Sequence, residues 1–127
     1  MPWIDWFDVL SDPPERAAFD ALREITGPRA GFLDFYKRHD GGAMDTTEAH
    51  VRFMPIATVL HTRDMGNAGW PPHFLFFAEN GVNTGFGLLL GPEDVYFAAD
   101  WEADDDDYTC LGNFPAFVAR LRAGAPH

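Results

Sequence analysis

Apolar residues recur at helical spacing over the first third of the chain and at strand spacing through the middle. Trp3, Trp6, Phe7 and Leu10 stand at i, i+3, i+4 and i+7, which predicts a short N-terminal helix. A second helix is predicted after Asp12, its N-cap, with Pro13 at the first helical position and Glu15 completing an Asp-x-x-Glu capping box. Ala18, Leu22 and Ile25 form its buried face, and Gly27-Pro28 ends it. Pro28 also suits the first turn of a third helix, in which Phe32, Phe35, Tyr36 and His39 repeat before Asp40-Gly41-Gly42 closes it.

Beyond Gly42 the period changes. Ile56 to Thr62 and Phe74 to Ala78 are rich in β-branched and aromatic residues and bounded by Pro or Gly, so both read as strands. Gly85 to Leu90 and Glu93 to Ala98 form a predicted hairpin across Gly91-Pro92, and residues 66–72 read as a loop. The chain returns to helix at its end. There Phe114, Phe117, Val118 and Leu121 make one stripe, Asn113 offers a cap, and Arg120 and Arg122 suit the C-terminal dipole. Helices, then strands, then one helix predict an α+β fold: an antiparallel or mixed central sheet carrying N-terminal helices and a closing C-terminal helix.

The 127 residues are the size of one domain, so residues 1–127 are read as a single unit. Hydrophobic residues at 46% and aromatics at 15% exclude bulk disorder. Charge narrows the picture further. Nine Lys and Arg stand against 20 Asp and Glu, a formal net charge of −11. Neutralising phosphate needs clustered cations, so nucleic acid is not an expected partner, and an anionic membrane surface is disfavoured for the same reason. Acids occupy the N-terminus where a signal peptide carries Lys or Arg, and the apolar runs are too short to span a bilayer. The expected location is the cytoplasm.

Nucleophiles are scarce: Ser11, Lys37 and Cys110 are each the only residue of their type. A hydrolytic triad would have to form around one of them, and none stands in such a context. The five histidines show no HxH or HExxH spacing, and Asp104-Asp105-Asp106-Asp107 lacks the Gly and distal Glu of a calcium loop. No metal and no cofactor are expected.

Four segments then resemble, in order, those of the SUKH superfamily, the Smi/Knr cell-wall-assembly-regulator type. Residues 32–42, Phe-Leu-Asp-Phe-Tyr-Lys-Arg-His-Asp-Gly-Gly, are similar to its helix end, with Asp40 where that family usually has Asn. Residues 76–83 resemble its strand entering an acidic, Gly-rich turn. Val95-Tyr96-Phe97 followed by Asp100-Trp101-Glu102 resembles a later strand, and residues 113–121 its closing helix. The family's usual Leu-Pro is replaced by Thr26-Gly27-Pro28, and the Trp-rich N-terminal segment has no counterpart. The resemblance implies an α+β domain that binds proteins and has no chemistry of its own. Stand-alone bacterial members are typically immunity proteins against secreted toxins, often nucleases, whereas fungal relatives are scaffolds.

Charge placement points the same way. From Asp64 to Ala119 there are ten acids and no Lys or Arg. An acidic surface can cover the cationic groove of a nuclease toxin. Candidate partner-binding residues are therefore Glu79, Asp100, Trp101, Glu102, Asp104, Asp105, Asp106, Asp107 and Tyr108, with Trp101 the aromatic expected to be exposed. The acidic run is alternatively a solvated loop that aids solubility. The expected function is an immunity protein binding a cognate basic toxin. The alternatives are a non-enzymatic scaffold of the same fold, or a hydrolase using Glu79 and Asp100 as acid and base.

Overall fold

The computed structural model describes residues 5–45, 50–101 and 107–123. Seven strands, β1 (Val9–Leu10), β2 (Gly42–Asp45), β3 (His50–Phe53), β4 (Phe74–Glu79), β5 (Thr84–Leu89), β6 (Val95–Asp100) and β7 (Tyr108–Gly112), form one sheet. They lie side by side in chain order, and every neighbouring pair is antiparallel. Helices α1 (Arg16–Thr26) and α2 (Ala30–Arg38) are inserted between β1 and β2, α3 (Ile56–Asp64) between β3 and β4, and α4 (Phe114–Arg122) follows β7. The class is α+β, with an antiparallel sheet and the closing helix where the sequence places it.

Three expectations are corrected. Trp3 lies outside the described residues, and no α-helix forms over Trp6 to Leu10: Trp6 ends a 3-10 turn, Val9 and Leu10 pair with Ala43 and Gly42, and the amides of Asp8 and Ser11 donate to Ala43 O (2.9 Å) and Gly41 O (3.1 Å). An eight-residue helix cannot offset its own nucleation, whereas these ladder bonds come with an existing strand. Phe7 serves the core instead, stacked on Phe35 with centroids 5.0 Å apart. The segment from Ile56 to Thr62 is helix α3 rather than a strand, with Pro55 as N-cap. Its first amide, Ile56 N–H, donates to Asp40 Oδ1 at 2.7 Å, a cap supplied from 16 residues earlier. Ile56 and Val59 then bury the side that packs inward. Asp12 is not the cap of α1: Glu15 holds that position, and its side chain makes no capping bond. The cap read at Asn113 is present: its Oδ1 accepts from Ala116 N–H at 3.1 Å.

One face of the sheet carries the helices. Phe77, Phe86, Tyr96 and Phe117 are fully buried there with Phe32 and Phe35 of α2. Phe117 lies nearly parallel to Tyr96 (5.2 Å) and edge-on to Phe77 (5.6 Å). The opposite face carries a second aromatic cluster, Trp70, Phe74, Phe76, Phe97 and Ala99, with Leu89 and Trp101 against it. Two glycines of β5 make room for it. A Cβ on Gly85 would stand 2.6 Å from the Trp101 ring and 2.8 Å from Phe76, and one on Gly87 would run into the Leu75 carbonyl of β4 and stand 2.8 Å from Phe97. Aromatic rings lie over bare backbone at these places.

Three polar side chains hold the connections. Arg29, 6% exposed, donates to Thr26 O (3.1 Å), Glu93 O (2.6 Å) and Gly91 O, tying the β5–β6 turn to the α1–α2 junction. Asn80 Oδ1 accepts from the amides of Val82, Asn83 and Thr84, forming the β4–β5 turn with Gly81 at φ 78°. Asn67, at φ 56°, donates through Nδ2 to Trp70 O, Pro71 O and Phe74 O, and so seats the loop that carries Trp70.

Candidate functional site

The pleat determines which candidate residues share a face. Glu79 is in register with Gly85, and Gly85 with Ala99, so Glu79 lies on the face of the second aromatic cluster. Asp100 is in register with Thr84, one residue along, and so lies on the helix-bearing face. Glu79 and Asp100 therefore stand on opposite sides of the sheet with β5 between their strands, and they do not form an acid–base pair. Glu79 is instead matched with Arg52 across β3 and β4, Arg52 Nε to Oε1 being 3.9 Å. Both side chains are partly exposed, so the pair contributes little stability.

Trp101 follows β6 and is half-buried, where exposure was expected. Its ring tilts over Phe76 with centroids 4.4 Å apart, on the floor left by Gly85, and its amide donates to Asn83 O at 2.9 Å. Tyr108, in register with Ala99, lies on this same face. Its ring meets Phe74 edge-on at 5.1 Å and Phe97 at 6.1 Å, yet the residue stays 38% exposed. Asp107 is exposed. With Asp100 it lines a polar depression of about 230 Å³ together with Asn83, Thr84, Ala98, Ala99 and Thr109. Glu102, Asp104, Asp105 and Asp106 lie outside the described residues.

The candidate residues thus gather at one end of β6 and β7 but divide between two faces. The aromatics Trp101 and Tyr108 are on one side, and the Asp100–Asp107 depression is on the other. A partner touching both must meet the sheet at the β7 edge. That division was not legible in the sequence, because it depends on which β6 residue each β7 residue opposes.

Chemistry within this region is sparse. Among the described residues the strongly perturbed groups are two core tyrosines away from it: for Tyr96, at the other end of β6, burial, with the Asp94 carboxylate beside the hydroxyl, pushes the pKa far above the usual tyrosine range, against a smaller lowering by Arg29. Burial, and Asp40 after it, likewise raise Tyr36, whose hydroxyl donates to Met54 O at 2.8 Å. Both hydroxyls are held protonated inside the core and are not placed to exchange protons with a ligand. Cys110 is free and exposed on β7. Among the described residues no group of three or more His, Cys, Asp or Glu is arranged to hold a metal ion, and no helix is long and apolar enough to cross a membrane.

No protein-family model matches the chain, and no curated protein matches it.

Proposed function

We propose that this protein is an immunity protein, which binds and neutralises a cognate basic toxin through the β6–β7 end of its sheet. The observation that carries the reading is the charge division of the fold. Strands β4 to β7 hold no Lys or Arg, while all nine cations fall on or beside α1, α2, β3, α3 and α4. At the β6–β7 end, Asp100 and Asp107 line the helix-bearing face, and two aromatics on the opposite face, Trp101 and Tyr108, lie across apolar rings and keep part of their surface in water. Acids steer a basic partner and set its orientation, and aromatic anchors hold it after water has left. The SUKH-like motifs of the sequence agree with a domain that acts by binding. In this reading it takes no cofactor, binds neither nucleic acid nor membrane, and works in the cytoplasm.

The experiment takes the product of the gene adjoining this one as the candidate toxin and measures surface-binding kinetics at low and high salt. Replacing Asp104, Asp105, Asp106 and Asp107 with Asn is expected to slow association about tenfold at low salt and to flatten its salt dependence. Trp101→Ala is expected to act mainly on dissociation. Equal association of the Asn variant and the parent at low salt makes the run a solubility feature and overturns the steering role.

A further inference from the structure

We propose that the outer edge of β7 receives an extended cationic segment of the partner as an eighth antiparallel or parallel strand. The proposal deepens the immunity reading and rests on it for the identity of the partner, though not for the mode of docking. The sheet ends at β7, and among the described residues nothing pairs with the outer side of this strand. The other edge, β1, has two residues; β7 has five, all exposed but Leu111. Natural edges are commonly protected by a Lys, a Pro, an inward charge or a bulge; β7, Tyr-Thr-Cys-Leu-Gly, has no Lys, Pro or charge, and its one irregularity, at Leu111, leaves Tyr108, Thr109 and Cys110 in regular register with β6. Among the described residues its outward N–H and C=O groups have no ladder partner, and strand addition at such an edge is the mode by which many domains capture extended peptides.

The two faces beside this edge differ in chemistry, and the difference specifies the occupant. On the helix-bearing face, next to Thr109, lies the depression with Asp100 and Asp107. On the other face, next to Cys110, an apolar groove of about 310 Å³ is lined by Leu89, Leu90, Pro92, Val95 and Cys110, with Glu93 at its rim. Thr109 and Cys110 are consecutive, so their neighbours on an added strand are consecutive too and point to opposite faces. A strand that alternates Lys or Arg with Val, Ile or Leu places its cations over the carboxylates and its apolar side chains in the groove. A second copy of this chain fits poorly. Pairing two β7 edges would bring Asp107 of each copy toward the other edge, and each copy carries a net charge of −11.

The test uses a synthetic acetylated nonapeptide alternating Lys and Val, and its analogue with Glu in place of Lys, each titrated into the full chain. Binding is read by calorimetry and the docking edge by amide hydrogen exchange of residues 108–112. The Lys–Val peptide is expected to slow exchange in β7 about tenfold or more. Its affinity is expected to fall about fivefold in Asp107→Asn and about tenfold in Cys110→Lys, a substitution at an exposed site that leaves the thermal midpoint in place. Binding of the Glu–Val peptide with equal affinity overturns the proposal, as does peptide binding with β7 exchange unchanged. A free protein that sediments as a dimer with β7 already protected also overturns it, by making a second copy the occupant. The two readings fail separately. If the toxin binds tightly and leaves β7 exchange unchanged, strand addition falls and the immunity reading stands; if the Lys–Val peptide docks on β7 and the toxin does not bind, the reverse holds.

Discussion

Gly85 and Trp101 form a contact whose energetics can be worked from the structure and measured by a double-mutant cycle. Gly85 has an ordinary strand backbone, so alanine there carries no penalty from a positive φ. Its Cβ, however, would stand 2.6 Å from one Trp101 ring atom, 2.8 Å from another and 2.8 Å from Phe76. Overpacking of this kind costs about 1–3 kcal/mol, offset by about 0.4–1 kcal/mol from the stiffer unfolded chain. The net expectation for Gly85→Ala is a loss of about 1–2 kcal/mol, or a fall of roughly 4–8 °C in the thermal midpoint. Trp101→Ala removes a half-buried ring from Phe76 and should cost about 2 kcal/mol, below the 3–5 kcal/mol of a fully buried aromatic. In the double variant the closest clash is gone, and the new methyl fills part of the space left by the indole. The pair should therefore be less destabilised than the sum of the singles, by about 1–2 kcal/mol. Urea unfolding of the four proteins measures this directly. Additivity to within about 0.5 kcal/mol would show that the two residues are not in contact, and that Trp101 does not lie on the floor left by Gly85.

Other expectations concern the core and its polar ties. Phe117→Ala should cost about 3–5 kcal/mol, since the ring is fully buried against Tyr96, Phe77 and Phe53; an unmoved melting midpoint removes α4 from the core. Arg29→Met should cost about 1–3 kcal/mol by leaving the Gly91 and Glu93 carbonyls without a donor, and should speed hydrogen exchange in the β5–β6 turn first; uniform exchange throughout the chain argues against a local tie. The two buried tyrosines set an alkaline limit. Their folded pKa values lie above the unfolded value of about 10, so their contribution is intact below that pH and is lost as pH rises beyond it, by about 1.4 kcal/mol per pH unit for each. Tyr96→Phe should make this decline shallower in a pH series of denaturant melts, and an unchanged slope refutes the assignment.

Elements whose partners are near in sequence were legible without the fold. Helices α1, α2 and α4 follow from apolar residues three and four apart, bounded by Gly, Pro and the Asn113 cap. Strands β4, β5 and β6 follow from β-branched and aromatic runs joined by turns whose Asn, Gly and Pro set their geometry. The α+β class follows from that order of elements. So does the charge division, because charge is a property of composition and of position along the chain.

What remained was decided by contacts between distant residues. The segment from Ile56 to Thr62 has side chains that suit a strand, and it became helix because Asp40, fixed at the end of α2, caps its first amide. Val9 and Leu10 became a strand because β2 was there to bond them. Strands β2, β3 and β7 are four or five residues long, too short for a period to declare itself. The same reason governs the candidate site. A sequence shows that Glu79, Asp100, Trp101, Asp107 and Tyr108 are acidic or aromatic and roughly where they occur. Pairing across β5, β6 and β7 decides that Glu79 and Asp100 face opposite ways, that Trp101 lies on a glycine floor, and that carboxylates and aromatics meet only at an open edge. Side-chain direction in a sheet reverses with every residue, so a shift of one position in register inverts each assignment. Register is set by the whole sheet, and only the folded chain determines it.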